Sequence, residues 1–474
     1  MHDDSRALSS SNPVPVNEGA PARFPSGDRP TLAGMYVGPP VIRRALLCSF
    51  WDGVLANGMI ALQETFGIAA AVSLNASTMA IALMSSLPLL LGSIGQFLVP
   101  AFADPAKGRK HYVLWGVRLQ AAFLFVAAFT GFLPPALAPW VYVGAFVMAA
   151  LSANSTGVYW VDWMGDLIPS SVRGRHFAWR SVYFAWMYLA CSLLAGTVAR
   201  KYSSHNAPWL LFAFIFGSAS LLRFGSYAFL RKQYEPVAQK AREVFNPLKF
   251  RPGRDFVTWC VATSAFGAAA AMSGPFFSVW YLRDLHFDYL TLAIALSSTV
   301  LGSITFIGFW GKLADNFGTS KVIWISGLLV TLIPLPYIFT ENPHLIWIFN
   351  FYSGATWAGY NMANFNHLLS ATDKRQRSHY IAFASLVSGV LGFVFTLLGG
   401  FLATRLPPLM GYSLRSLFLL SSALRLAICL GFYWKFREYR EALPRRSQEV
   451  FMEIPGYRVG QGLLRNAFRA FRNN

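Results

Sequence analysis

Charge is scarce in this chain. Only 13% of its 474 residues are Asp, Glu, Lys or Arg, while 55% are hydrophobic and the mean hydropathy is +0.42; a soluble domain carries roughly 25% charged residues. Acidic residues are the scarcer kind, 21 against 40 Lys and Arg. Cysteine is nearly absent. Cys48, Cys191, Cys260 and Cys429 lie in or at the edge of apolar runs without CxxC spacing, so they read as small core residues rather than a disulfide or metal framework. A phosphate-binding Gly-x-x-x-x-Gly-Lys-Ser/Thr loop is missing, which argues against direct ATP drive. His111, His176, His205, His286, His344, His367 and His379 are scattered without ligand spacing, so no metal, no cofactor and no enzymatic centre is expected. No signal peptide precedes the first apolar run, and residues 1–40, polar with Pro, Gly and Ser, read as a disordered tail.

What the chain has in abundance is apolar runs long enough to cross a bilayer. Twelve are legible, at roughly 45–72, 76–103, 111–132, 137–165, 177–199, 208–230, 256–281, 288–311, 321–340, 344–369, 379–403 and 412–435, each near the ~20 residues that a span needs. Aromatics at 16%, including 41 Phe, suit lipid-facing helices and interfacial belts. The predicted fold is therefore all-α, a polytopic membrane protein of twelve transmembrane helices.

The two halves of the chain repeat one another. Asp166-Leu-Ile-Pro-Ser-Ser-Val-Arg173-Gly-Arg175 returns as Leu368-Leu-Ser-Ala-Thr-Asp-Lys-Arg375-Gln-Arg377, and Ser-Leu-Leu-Arg223 returns as Ser-Ala-Leu-Arg425, both at an offset of 202 residues (375 − 173). Duplicated six-helix halves imply a substrate path at the seam between them. The expected domains are a cytoplasmic tail over 1–40, a six-helix bundle over 41–232, a charged cytoplasmic linker over 233–254, a second bundle over 255–437 and a basic tail over 438–474.

Basic residues set the orientation. One set of loops carries Lys107, Arg109, Lys110, Arg173, Arg175, Arg180, Lys312, Lys321, Lys374, Arg375 and Arg377; the opposite set carries Arg200, Lys201, Arg283, Arg405 and Arg415. The positive-inside rule puts the richer side, the linker and both termini in the cytoplasm, in a bacterial inner membrane. The same clustering accounts for the net charge of +19 without nucleic acid. Near the end, Arg465, Arg469 and Arg472 beside Leu464, Phe468 and Phe471 read either as a basic amphipathic helix on the inner leaflet or as a solvated tail.

Gly311-Lys-Leu-Ala-Asp315-Asn-Phe-Gly318, in the loop after the eighth span, resembles the Gly-x-Leu-Ala-Asp-x-x-Gly signature of the major facilitator superfamily. The resemblance implies that Gly311 lets helices approach, that Asp315 faces a helix N-terminus or an arginine, and that Gly318 makes the turn. Pro100-Ala-Phe-Ala-Asp104-Pro-Ala-Lys-Gly108-Arg109-Lys110 is the first-half copy, with Pro100 where the first Gly belongs and Gly108 one residue late. Asp166-Leu-Ile-Pro169 followed by Arg173-Gly-Arg175 is similar to a bacterial branch of that superfamily without a settled substrate. The resemblance implies twelve helices in two pseudo-symmetric bundles, covering about 45–435, and a cytoplasmic latch between them.

Charged groups inside spans are costly and mark a cavity or a partner. On the first helix Asp52 is either a salt-bridge member or a transport residue; Asn57 and Glu64 share a different face, with Glu64 near the outer end. On the fourth, Ser155, Tyr159, Asp162 and Asp166 form one stripe. Asp166 is expected to pair with Arg173 or Arg175, and Asp162 to face the cavity. Asn364, with Trp357, Tyr360 and His367 on its helix, is the repeat partner of Asp162. Arg118 reads as the partner of Asp52 or an anion-binding group; Arg223 and Arg425 read as snorkelling or carboxylate-paired.

The reading is a monomeric secondary transporter that moves a small organic solute by alternating access, coupled to protons through Asp52 or Asp162. Two alternatives belong to other classes, a transporter-derived sensor or assembly factor and an integral-membrane lipid-modifying enzyme.

Overall fold

The computed structural model describes residues 40–102, 107–168, 170–202, 208–236, 250–372, 377–432 and 436. The first six long helices are α1 (Pro40–Ser73), α2 (Thr78–Phe102), α3 (Gly108–Phe129), α4 (Ala138–Leu167), α5 (Ser170–Tyr202) and α6 (Pro208–Lys232). The second six spans comprise α7 (Arg254–Ala271) with α8 (Gly274–Val279), α9 (Tyr289–Phe317), α10 (Thr319–Thr331) with α11 (Pro336–Phe339), α12 (Pro343–Ala371), α13 (Arg377–Leu402) and α14 (Ser413–Phe432). Eleven spans are long and apolar enough to cross a membrane. The remaining one, α12, has 29 residues but carries Asn350, Asn361, Asn364, Asn366 and His367. Both proposed tails and most of the linker lie outside the described residues.

Two spans are broken by proline. Pro275 and Pro336 sit in the first turns of α8 and α11, where a missing N–H costs nothing, while the break strands carbonyls of the preceding turn. Side chains meet them. Ser421 Oγ donates to Ala269 O at 2.6 Å, and Thr396 Oγ1 to Ala271 O at 3.4 Å. Arg425 donates to Ser273 Oγ and Ser421 Oγ, both at 2.9 Å, and to Ala270 O at 3.5 Å. Arg425 is 3% exposed, so it neither snorkels nor meets a carboxylate; it holds the broken seventh span.

Within the second half, Gly302 of α9 and Gly354 of α12 press onto the carbonyls of Phe351 and Thr299, and Gly399 of α13 onto that of Met272. Gly311, by contrast, faces open space, which corrects the close approach expected there. Three turns among the described residues do demand glycine, Gly108 (φ +69°), Gly318 (φ +87°) and Gly411 (φ +88°). All four cysteines are free, three of them buried.

Among the described residues, contacts join the halves along α2–α13 and α5–α9 and reach one end of the molecule. Gly196 of α5 faces Ala293 of α9, Ser192 Oγ stands 3.4 Å from Ser297 Oγ, and Gly389, Gly392 and Gly400 of α13 pack on Ser93, Leu89 and Ala82 of α2. Beyond them lie the ring pair Phe212–Tyr289, the hydrogen bond from Arg283 to Ala76 O and the ion pair Arg200–Asp288. This end is opposite to the Gly108 and Gly318 turns.

Candidate functional site

The first half buries one carboxylate among cations. Asp52 of α1 is 4% exposed and accepts a hydrogen bond from Ser226 Oγ of α6 at 2.6 Å. Arg223, one turn back on α6, donates to Ser226 Oγ at 3.1 Å and to Gln120 Oε1 of α3 at 2.8 Å. Asp52 lies in the field of both Arg223 and Arg180. Arg118 is not its partner. It is exposed on α3, hydrogen-bonded to Tyr227 Oη and lying over the Trp115 and Tyr227 rings. Of the two readings of Arg118, the pairing with Asp52 is set aside; the span order alone does not say which face of α6 meets α1.

Glu64 sits elsewhere on α1. An external apolar groove of about 460 Å³ between α5 and α6 is lined by Leu55 and Leu62 together with Leu194, Phe214 and Leu221, the last three all more than 60% exposed. Glu64 comes nine residues after Leu55, about two and a half turns, and so points away from that groove. It is exposed, and Tyr188 of α5 hydrogen-bonds it. Next to it Thr65 Oγ1 meets Ser192 Oγ at 3.0 Å, and Ser192 continues to Ser297 in the second half. Asn57, on the same face, donates to Gly53 O at 2.8 Å. Asp52 and Glu64 are twelve residues apart, about 18 Å along the helix.

The α4 stripe turns toward α2 and α3. Ser155 packs on Gly95 of α2, Tyr159 stacks on Tyr112 of α3 at 5.1 Å between ring centroids, and Asp166 Oδ2 pairs with Arg109 Nη1 at 2.6 Å. Asp162 is half-buried and belongs to that same stripe by its spacing. Asp166 pairs with Arg109; its expected pairing with Arg173 or Arg175 falls on side chains outside the described residues. The side chains of Arg173, Arg175 and Arg377, and all of Asp104 and Arg375, lie outside the described residues.

Glu235, which the sequence reading passed over, completes the Arg109 cluster. Its Oε1 accepts from the backbone N–H of Arg109 at 2.7 Å and of Lys110 at 3.1 Å, capping α3 from the chain just after α6. Lys110 Nζ donates to Gln233 O at 2.7 Å, and Trp163 Nε1 to Tyr234 O at 2.9 Å. In the second half, buried His367 Nδ1 lies 3.2 Å from Thr319 Oγ1, with the Trp259 ring stacked on it. Asp315 is exposed on the last turn of α9. Trp357 and Tyr360 pack on Phe266, and Asn364 Nδ2 donates to Tyr360 O at 2.8 Å; these residues build the second bundle's interior. Among the described residues no group of His, Cys, Asp or Glu could hold a metal.

The fold has known counterparts. A family profile described as "Major Facilitator Superfamily" matches residues 258–474. A D-xylose-proton symporter superposes with a TM-score of 0.66 at 14% identity, covering 85% of this chain and 99% of that one. The nucleoside transporter NupG gives 0.62 at 12% identity, over 84% of this chain and 100% of that one. A curated relative from Lactococcus lactis subsp. lactis (strain IL1403), described as a "multi-drug resistance efflux pump PmrA homolog", is 24% identical over 264 residues. That match spans 54% of this chain and 61% of the relative's length.

Proposed function

We propose that this chain, a member of the major facilitator superfamily and hence a multi-pass secondary transporter rather than an enzyme, moves a small organic solute through the seam between its halves, with protons as the coupling ion. The observation that carries the reading is the junction between the halves. Among the described residues two six-helix bundles meet through α2–α13 and α5–α9, the geometry of a pair that can rock about its seam. The loop charges favour a cytoplasmic opening and cytoplasmic termini, and the chain acts as a monomer. Export is the direction suggested by the name of the Lactococcus relative.

Glu64 is the carboxylate we assign to coupling, in place of Asp162. Asp52 is held by a hydroxyl and two guanidinium groups, whereas Glu64 has a tyrosine for its neighbour and adjoins Thr65, whose contact with Ser192 continues to Ser297 in the second half. A group whose surroundings change between states is one that can take up and release a proton. The test is transport in proteoliposomes under an imposed pH gradient, with candidate solutes of the organic class. Glu64→Gln should abolish uphill accumulation and retain downhill exchange. Normal uphill accumulation in Glu64→Gln would end the coupling assignment, and an absence of any solute flux in the native protein would end the transport reading.

A further inference from the structure

Arg180 is 3% exposed, yet its Nε and Nη1 have no hydrogen-bond partner. One turn earlier on α5, His176 Nε2 is likewise buried and unpartnered, and residues four apart share a helix face. Buried donors left unmade are costly. The guanidinium is instead framed by rings: its carbon lies 4.7 Å from the Phe184 centroid, 5.0 Å from Trp160 and 5.9 Å from Phe177. It can lie there because α1 has Gly53 at the crossing, where a Cβ would stand 2.8 Å from Arg180 Nη2.

Charge points the same way. Arg180 and Arg223 both face Asp52, and Asp52 is engaged through Ser226 on the Arg223 side. Two guanidinium groups for one carboxylate leave a positive charge uncompensated in a water-poor interior, a costly state that an anion relieves. Arg180 lies ten residues along the fifth helix, which begins at Ser170, about 15 Å from that end.

We propose that Arg180 and His176, between α1, α4 and α5, form a binding subsite for a carboxylate or phosphate group attached to an apolar body. The guanidinium supplies paired donors to the anion, His176 supplies a third, and Trp160, Phe177 and Phe184 take the adjoining apolar part. The anionic group comes either from a bilayer phospholipid or from a free amphiphilic anion. The subsite stands whether or not its occupant is moved.

The experiment uses the full chain in phosphatidylcholine nanodiscs and measures binding of octanoate, with octanol as the neutral control. Octanoate should bind the native protein, and Arg180→Gln should weaken it by about tenfold or more. Arg180→Lys should retain part of the affinity and His176→Gln should lose a smaller part, while octanol binding stays unchanged throughout. Replacing part of the lipid with phosphatidylglycerol separates the sources. Competition with octanoate in the native protein but not in Arg180→Gln identifies a headgroup, and unchanged affinity identifies a free anion. Equal octanoate affinity in native protein and Arg180→Gln overturns the proposal, as does a native protein that binds neither octanoate nor phosphatidylglycerol. If Arg180→Gln fails to fold, native-like octanoate binding in both Arg180→Lys and His176→Gln overturns it instead.

Discussion

Arg200 at the end of α5 and Asp288 just before α9 form an ion pair, Nε to Oδ2 at 3.3 Å, that joins the two halves of the molecule. It is the outermost of a set of contacts that includes the Arg283 bond to Ala76 O and the tight α5–α9 crossing at Gly196. Both charged side chains are substantially exposed, 64% and 38%, so the pair adds little to folding. Its effect falls on the balance between two arrangements of the halves.

Charge reversal should shift that balance. An exposed pair is worth about 0.2–1 kcal/mol, so Asp288→Arg, placing like charges at the junction, should raise the fraction open at this end about severalfold without lowering the melting temperature by more than a few degrees. Distances between spin labels on the outer ends of α5 and α9 would read the change. The double exchange Arg200→Asp with Asp288→Arg should restore the native distribution.

Asp52→Asn should destabilise the first bundle by about 3–5 kcal/mol, because it leaves Arg180 and Arg223 without their carboxylate. Adding Arg223→Met to Asp52→Asn should recover part of that loss. Thermal unfolding of the purified protein measures both. A melting temperature unchanged by Asp52→Asn would show that the carboxylate is not what balances the two arginines.

The turns should tolerate alanine unequally. Gly318, at φ +87° and ψ 158°, lies in a region that is essentially glycine's alone, so Gly318→Ala should cost about 1–3 kcal/mol. Gly108 at φ +69° is in the left-handed region, where alanine costs about 1–2 kcal/mol. A Cβ there would also come within 3.0 Å of Glu235 Oε2. Gly311→Ala, facing open space, should be near neutral in the same unfolding measurement.

Glu235→Gln should weaken the cap on α3 by about 1–2 kcal/mol, since a charged acceptor on two terminal N–H groups becomes a neutral one. Faster hydrogen exchange at the Arg109 and Lys110 amides would report it. Native-like exchange there would show that Glu235 does not hold the α3 terminus.

The sequence by itself determined the architecture. Apolar runs of membrane-spanning length, a repeat carried by Arg173/Arg375 and Arg223/Arg425, and two glycine turns between spans are local properties, and local spacing is enough to encode them. It also marked the costly residues, because Asp52, Glu64 and Arg223 stand out against so apolar a background. Partners were a different matter. Asp52 meets Arg223 and Arg180 rather than Arg118, and Asp166 meets Arg109 from 57 residues away in the chain. Each of these depends on how a helix is rotated about its own axis against neighbours far away in the chain, and periodicity fixes which residues share a face without fixing what that face meets. Glu235 went unassigned and Arg425 was read as snorkelling or carboxylate-paired for the same reason: one accepts from an Arg109 amide 126 residues earlier, and the other serves carbonyls that only a proline break exposes. Packing of the twelve helices decided those pairings, and with them where an unpaired charge is left for something else to bind.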